Sequence, residues 1–177
     1  MGTTTRFHRA ASTGNVLPLK EATRWDVNAP DENLLTPVLL AAANGKTDAL
    51  TVLLKRGADL SRTDRSGSTA LHLAAAAGHR QCVECLLSVN VNVFELNTAG
   101  RTALDMAKLH RQVEVAERLE QYQWQLANTN PARADQLRKR AAKQYEKLKQ
   151  RYGTVIALNL GESFRALEEH TALEESV

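Results

Sequence analysis

Cys82 and Cys85 stand at Cys-x-x-Cys spacing, an arrangement that can hold a metal ion or exchange a disulfide. A structural metal site needs about four ligands, and the chain has no second pair of cysteines. A redox pair needs a thioredoxin-like βαβ setting, which the surrounding pattern does not offer. Both cysteines fall on apolar positions of a helical stretch, so core packing is the better reading. His72 follows Thr69 by three residues, and His8 occupies the matching place at the offset that also separates Gly14 from Gly78. A catalytic histidine wants a nucleophile and an orienting acid, and neither is implied. Asp105, at the equivalent place in a later copy, departs from the pattern and is not an acid catalyst. With no phosphate-cradling loop and no nucleophile–base pair, the chain reads as non-enzymatic, without catalytic, cofactor or metal residues.

Arg138, Lys139, Arg140, Lys143, Lys147 and Lys149 form the densest charged run. Such a run can bind nucleic acid, an acidic membrane or calmodulin. It can equally be the solvated face of a helix whose apolar side packs on the rest of the chain, or the contact face for a protein partner. Nucleic acid is the weakest reading, because no recognition motif or interleaved aromatics accompany the charge.

The elements that must position these residues follow from composition and periodicity. The chain has 177 residues, 43% apolar and 24% charged, with only 5% aromatics. That suits one domain plus an appendage and favours close helix packing over a sandwich. No stretch approaches eighteen apolar residues, so no transmembrane segment is expected. The first residues lack a signal-peptide h-region, and Arg6 stands where a myristoylation motif needs Ser or Thr. Two cysteines fit a reducing, cytoplasmic setting. Residues 1–120 carry fourteen Lys/Arg against thirteen Asp/Glu, residues 131–153 carry eight against two, and residues 154–177 carry Arg165 against five glutamates. A neutral body thus precedes a basic segment and an acidic tail.

Thr36, Thr69 and Thr102 recur at steps of 33, as do Asp31, Asp64 and Asn97, and Ala41, Ala74 and Ala107. The clearest copy runs from Asp64 through Thr69-Ala-Leu-His-Leu-Ala to Gly78 and Leu86-Leu87. The period and the Thr-x-Leu-His core resemble the ankyrin repeat. That implies an all-α solenoid of about four repeats (1–30, 31–63, 64–96 and 97–129) followed by a basic amphipathic helix. Thr36 and Pro37 suit a helix start, with the hydroxyl available as a cap. Gly45 and Gly78 suit the turn between paired helices. The first copy is degenerate, its second helix about two residues short. In the fourth, Arg111 replaces the turn glycine and Glu120 the last leucine, which reads as a polar cap. Leu34 replaces the glycine found at Gly67 and Gly100, so either that turn is distorted or Leu34 is a contact residue. In ankyrin repeats a histidine like His72 links neighbouring repeats by hydrogen bonds.

Residues 121–129 read as a connector whose aromatics, Tyr122 and Trp124, cover the last repeat. Asn130-Pro131 then opens a helix, with Ala134, Leu137, Ala141, Tyr145, Leu148 and Tyr152 on one face. Gly153 is its expected end, giving a basic amphipathic helix over 130–153 and an acidic, apolar tail over 154–177, expected to be a second helix or to fold on a partner. The final Glu175-Ser176-Val177 is a weak match to a PDZ ligand.

The opening Phe7-His-Arg-Ala-Ala, then Leu19-Lys-Glu-Ala-Thr-Arg and Asp26-Val-Asn-Ala-Pro-Asp-Glu, together with Asn130-Pro131 and Leu137-Arg-Lys-Arg-Ala, resemble the Sans scaffolds over roughly residues 6–150. The resemblance implies a cytoplasmic adaptor, associated with the cytoskeleton at microvillar or stereociliary tips. It implies partners of two kinds, a myosin VII tail and a harmonin-type PDZ scaffold. The family's sterile-alpha-motif domain has no room here, so the chain is expected to be a fragment or a short relative. The ankyrin pattern places ligand contacts on a concave face, at Glu32, Asn33, Leu35, Asn44, Arg65, Ser66, Ser68, Arg101, Leu109 and His110. The alternatives are a generic ankyrin regulatory subunit or inhibitor of an enzyme, or a membrane- or calmodulin-binding module built on the basic helix.

Overall fold

The structure is a computed structural model that describes residues 5–174, with side chains described through Tyr152. Met1 to Thr4, Glu175-Ser176-Val177 and the side chains of 153–174, on which the N-terminal, PDZ-ligand and tail readings rest, lie outside the described residues. Ten helices are described: α1 (Arg6–Thr13), α2 (Val16–Glu21), α3 (Arg24–Asn28), α4 (Pro37–Ala43), α5 (Thr47–Lys55), α6 (Ala70–Ala77), α7 (Arg80–Ser88), α8 (Ala103–Leu109), α9 (Val113–Thr129) and α10 (Pro131–Glu174). Consecutive first helices α1, α4, α6 and α8 pack side by side, and α2, α5, α7 and α9 form a second row behind them. No strand occurs among the described residues.

Each first helix starts at a threonine in extended conformation. Thr5, Thr69 and Thr102 close capping boxes with His8, His72 and Asp105 three residues on. Thr36 does not. Its third residue is Leu39, which offers no polar group, and the Thr36 hydroxyl is buried without a partner. The expected cap is therefore absent there, and Pro37 at the first helical position carries the start alone.

The helix pairs turn through left-handed residues. Gly45 has φ +67° and Gly78 φ +77°. A Cβ on Gly45 would fall 2.7 Å from the His79 ring, and one on Gly78 would fall 2.2 Å from Gln112, because the next repeat lays a side chain over each turn. Arg111 keeps the same conformation at φ +57° although it is not glycine. No repeat follows it, so its side chain meets no such neighbour. The alanines of the first helices (Ala41, Ala74 and Ala107, all fully buried) let the rows approach, and Leu50, Leu53, Leu86 and Leu119 fill the space between them. Burying each leucine contributes roughly 1.5–3 kcal/mol. The two cysteines join this packing: Cys82 is fully buried beside the Thr47 hydroxyl at 3.4 Å, and burial pushes its thiol above the ordinary range.

Three expectations are corrected. Residues 121–129 are not a separate connector, since α9 runs unbroken to Thr129; Tyr122 packs against the core, whereas Trp124 is exposed. Helix α10 does not end at Gly153 but continues to Glu174, with a break at Tyr152 (φ −122°, ψ 24°). The loop at Leu34 is not distorted: Leu34 adopts φ +62°, and its N–H donates to the Asp31 carbonyl at 3.1 Å, as Gly67 does to Asp64. The shortened second helix of the first copy is real, six residues in α2 against nine in α5 and α7, and the extra turn α3 follows it.

Candidate protein-binding surface

Three finger loops lead into α4, α6 and α8, and each is built on one acceptor. The Oδ1 atoms of Asp31, Asp64 and Asn97 accept backbone N–H groups two and four residues on, at 2.8–3.0 Å. This is why the carboxylate or amide recurs with the period: it supplies the loop's own hydrogen bonds. The fingers are tied into a row. The Arg65 guanidinium donates to the Glu32 carbonyl, and Thr98 donates to the Ser66 carbonyl through both its N–H and its hydroxyl at 2.9 Å. Two histidines fasten first helices to the next finger. His8 Nε2 lies 3.0 Å from the Leu35 carbonyl, and His72 Nε2 lies 3.0 Å from the Arg101 carbonyl. Burial holds His72 below the ordinary imidazole range, so its ring is neutral: Nδ1 accepts from the Thr69 N–H and Nε2–H donates.

Helix α10 lies across the loops in reverse chain order. Asn92 donates to the Leu137 carbonyl at 3.0 Å, and the Arg138 guanidinium sits 4.7 Å above the Phe94 ring. The Tyr145 hydroxyl and Leu148 then come so close to Gly100 and Gly67 that a Cβ on either glycine would lie 3.2–3.3 Å from them. Tyr152 shares a cavity of about 320 Å³ with Pro30, Leu34, Thr36 and Arg62. Ala134, Leu137 and Ala141 are buried by this docking. Glu95, just before the third finger, stands beside Arg140 and Gln144 of the helix. Burial pushes its carboxyl up to about 7, while the Gln144 amide and the Arg140 charge pull weakly the other way.

The ten expected contact residues fall into two groups. Glu32, Asn33, Asn44, Arg65, Ser66, Arg101, Leu109 and His110 are exposed. Ser68 and Leu35 are corrections. Ser68 is buried, with its N–H on Asp64, so it holds the loop and offers no ligand contact. Leu35 packs against the core and its backbone serves Asp31 and His8, so truncating it would disturb the fold. Asn44 spends its amide on the Leu40 carbonyl at 2.8 Å. The surface therefore reduces to the finger tips plus Leu109 and His110 at the end of α8.

The basic run divides similarly. Arg138 is held over Phe94 and paired with Asp135 at 3.2 Å, Lys149 pairs with Glu146 at 2.9 Å and lies over Tyr145, and Arg140 faces Glu95. Lys139, Lys143 and Lys147 are exposed. Sequence reasoning missed Glu95, Gln144 and Trp25. The available signals were one acid opposite a basic helix, and a tryptophan aligned with Ala58 and Val91 of later copies.

The sequence model described as "Ankyrin repeats (3 copies)" matches residues 38–130, more than half of the chain. The chain belongs to the ankyrin-repeat family. Helices α1 to α3 and all of α10 lie outside the matched residues. Among individual proteins, it is 48% identical over 60 residues to Ankyrin repeat and SAM domain-containing protein 4B of Homo sapiens, covering 34% of this chain and 14% of that protein. The Mus musculus protein of the same name is 45% identical over 64 residues, 36% of this chain and 15% of its own length. Ankyrin repeat domain-containing protein 7 of Homo sapiens is 43% identical over 54 residues, 29% of this chain and 21% of that protein. The matches thus span only a fraction of each relative's length. The ankyrin repeat is a protein-interaction module, and this chain carries it as a protein-binding adaptor. No helix among the described residues is long and apolar enough to cross a membrane, and no cluster of three metal-ligating side chains occurs among them.

Proposed function

We propose that this ankyrin array is a non-catalytic adaptor of the Sans type, holding a protein ligand on one surface shared by the finger tips and α10. The observation that carries the proposal is the seating of α10: Tyr145 against Gly100 and Leu148 against Gly67 bring the helix beside the tips. Arg65 and Arg101 at the finger tips and Lys143 and Lys147 on α10 are exposed, so the proposed surface carries cations on both parts and suits an acidic protein segment. The motif resemblance to Sans scaffolds supports a place at the tips of actin-based protrusions. The two ligands to try are a myosin VII tail and a harmonin-type PDZ scaffold.

Removing residues 131–177 would strip a docked helix and blur the answer. The cleaner perturbation in the full chain is the charge reversal Arg101→Glu with Lys143→Glu, both exposed. Titration calorimetry with each purified ligand should show at least a tenfold loss of affinity for the one that binds. An unchanged affinity, or no binding by either ligand, would refute the reading. A membrane- or calmodulin-binding module finds less support, since three of the six cations of the basic run are engaged with Phe94, Tyr145 and Glu95.

A further inference from the structure

Helix α10 is seated on the repeats without joining their core. The contiguous core runs from Phe7 to Leu119, and the buried residues of α10, Ala134, Leu137 and Ala141, lie outside it. One leucine and two alanines make a thin apolar seam. Next to it Glu95 is half-buried, and burial pushes its carboxyl up to about 7. The Gln144 Oε1 atom is buried there without a partner among the described residues. Two cavities of about 220 and 200 Å³ remain under the helix, both lined by Ser61, Thr69, Glu95 and Gln144. Core packing leaves no such voids. A seam with gaps and a poorly satisfied polar group opens at lower cost than the repeats themselves.

The joint allows that opening. Helix α9 ends at Thr129 and α10 starts at Pro131, so the single residue Asn130 (φ −146°, ψ 72°) connects them. Turning at Asn130 lifts α10 without unwinding either helix. The seat also reads little of the α10 sequence. Asn92 donates to the backbone carbonyl of Leu137, which any helix offers. Gly67 and Gly100 present bare backbone to Leu148 and Tyr145. The apolar wall is Leu60, Val89 and Val91. These features accept a helix with one large apolar residue between two small ones, at the spacing of Ala134, Leu137 and Ala141. Charge adds selection: Glu95 faces Arg140, and the Phe94 ring lies 4.7 Å below the Arg138 guanidinium.

We propose that the groove under α10 is a helix-receiving site for a basic amphipathic helix of a partner protein, and that α10 fills it in the single chain as a built-in competitor. The occupant lays a small-large-small apolar stripe on Leu60, Val89 and Val91 and sets a cation against Glu95. A helix tethered through Asn130 competes at an effective concentration on the order of millimolar, so the groove stays closed to weak ligands. The groove is distinct from the surface of the proposed function. A seated α10 completes that surface and an exchanged one dismantles it, so the two ligands exclude each other.

The test needs neither ligand of the proposed function, so the two readings fail separately. The probe is a fluorescein-labelled peptide with the sequence of residues 131–152, titrated into the full chain and read by anisotropy. The full-chain variant Leu137→Asp with Ala141→Asp loosens the resident helix and leaves the groove intact. It should bind the probe at least tenfold more tightly than wild type does. Probes carrying Leu137→Asp or Arg140→Glu should bind that variant at least tenfold more weakly. Equal binding by wild type and variant would overturn the proposal. A variant whose repeats unfold, read by circular dichroism, would do so too, because α10 would then belong to the core. In the wild-type chain, hydrogen exchange corrected for intrinsic rates should be at least tenfold faster over 131–152 than over 70–88. Equal protection of the two stretches would mean that α10 opens only with the array, and would reject the exchange.

Discussion

Glu95 makes the docking of α10 depend on pH, and the sign and size of the effect follow from its surroundings. Its carboxyl is raised from an ordinary 4.5 to about 7, first by burial between the third finger and α10. A folded value above the unfolded one means the folded state holds the proton more tightly. The associated stability is fully present below 4.5 and is lost as pH rises through 7. The span from 4.5 to about 7 corresponds to about 3 kcal/mol, at about 1.36 kcal/mol for each tenfold in proton affinity. Solvent reaches part of the side chain, so roughly 1–3 kcal/mol is the working range. The loss should appear locally, as release of α10 from the loops, before the repeats unfold. Hydrogen exchange of peptides covering residues 131–152, corrected for intrinsic rates, should show about tenfold or greater protection at pH 5.5 over pH 8. Glu95→Gln, which cannot ionise, should flatten that difference and leave α10 protected at pH 8. An identical pH profile in wild type and Glu95→Gln would refute the reasoning.

Two further outcomes follow from the repeats. Arg111→Gly should raise stability by about 0.5–1 kcal/mol, since it relieves a left-handed arginine that no neighbour requires, while Gly78→Ala should cost about 1–2 kcal/mol because it puts a side chain on a left-handed backbone; thermal melts compare the two. His72→Leu should cost roughly 2–4 kcal/mol by orphaning the buried groups at Thr69 and Arg101, and it should also remove part of the acid sensitivity, because a neutral buried histidine loses stability as pH falls below 6.5; urea titrations at pH 7 and pH 5 test both points.

The period of 33 was legible because every copy reuses the same physical parts. An Asx acceptor shapes the finger, a threonine opens the first helix, and a left-handed residue closes it. Each part constrains its own residue locally, so spacing alone reveals it. The seat of α10 was not legible. Its stripe of Ala134, Leu137 and Ala141 would look the same in a helix awaiting a partner and in one already docked. Only the loops decide between them, through Asn92, whose place in the repeat calls for a turn acceptor and not a helix contact, and Phe94, which stands where Ser61 stands one copy earlier. Ser68 misled for a related reason. Its place in the finger suggests a contact, but the tight loop around Asp64 turns it inward.

The row of finger residues Leu34, Gly67 and Gly100 links fold to function most directly. At Gly67 and Gly100 the bare backbone lets Leu148 and Tyr145 settle close, and α10 runs straight past. At the first finger Leu34 holds the same left-handed backbone, a conformation costing a leucine roughly 1–2 kcal/mol. There α10 breaks, at Tyr152, and a cavity stays open between the two side chains. Leu34 lines that cavity together with Pro30, Arg62 and Tyr152, where a glycine would present no side chain. Of the three fingers, only the first holds a non-glycine residue in that conformation, beside a cavity of about 320 Å³, and backbone strain of this kind clusters at binding surfaces.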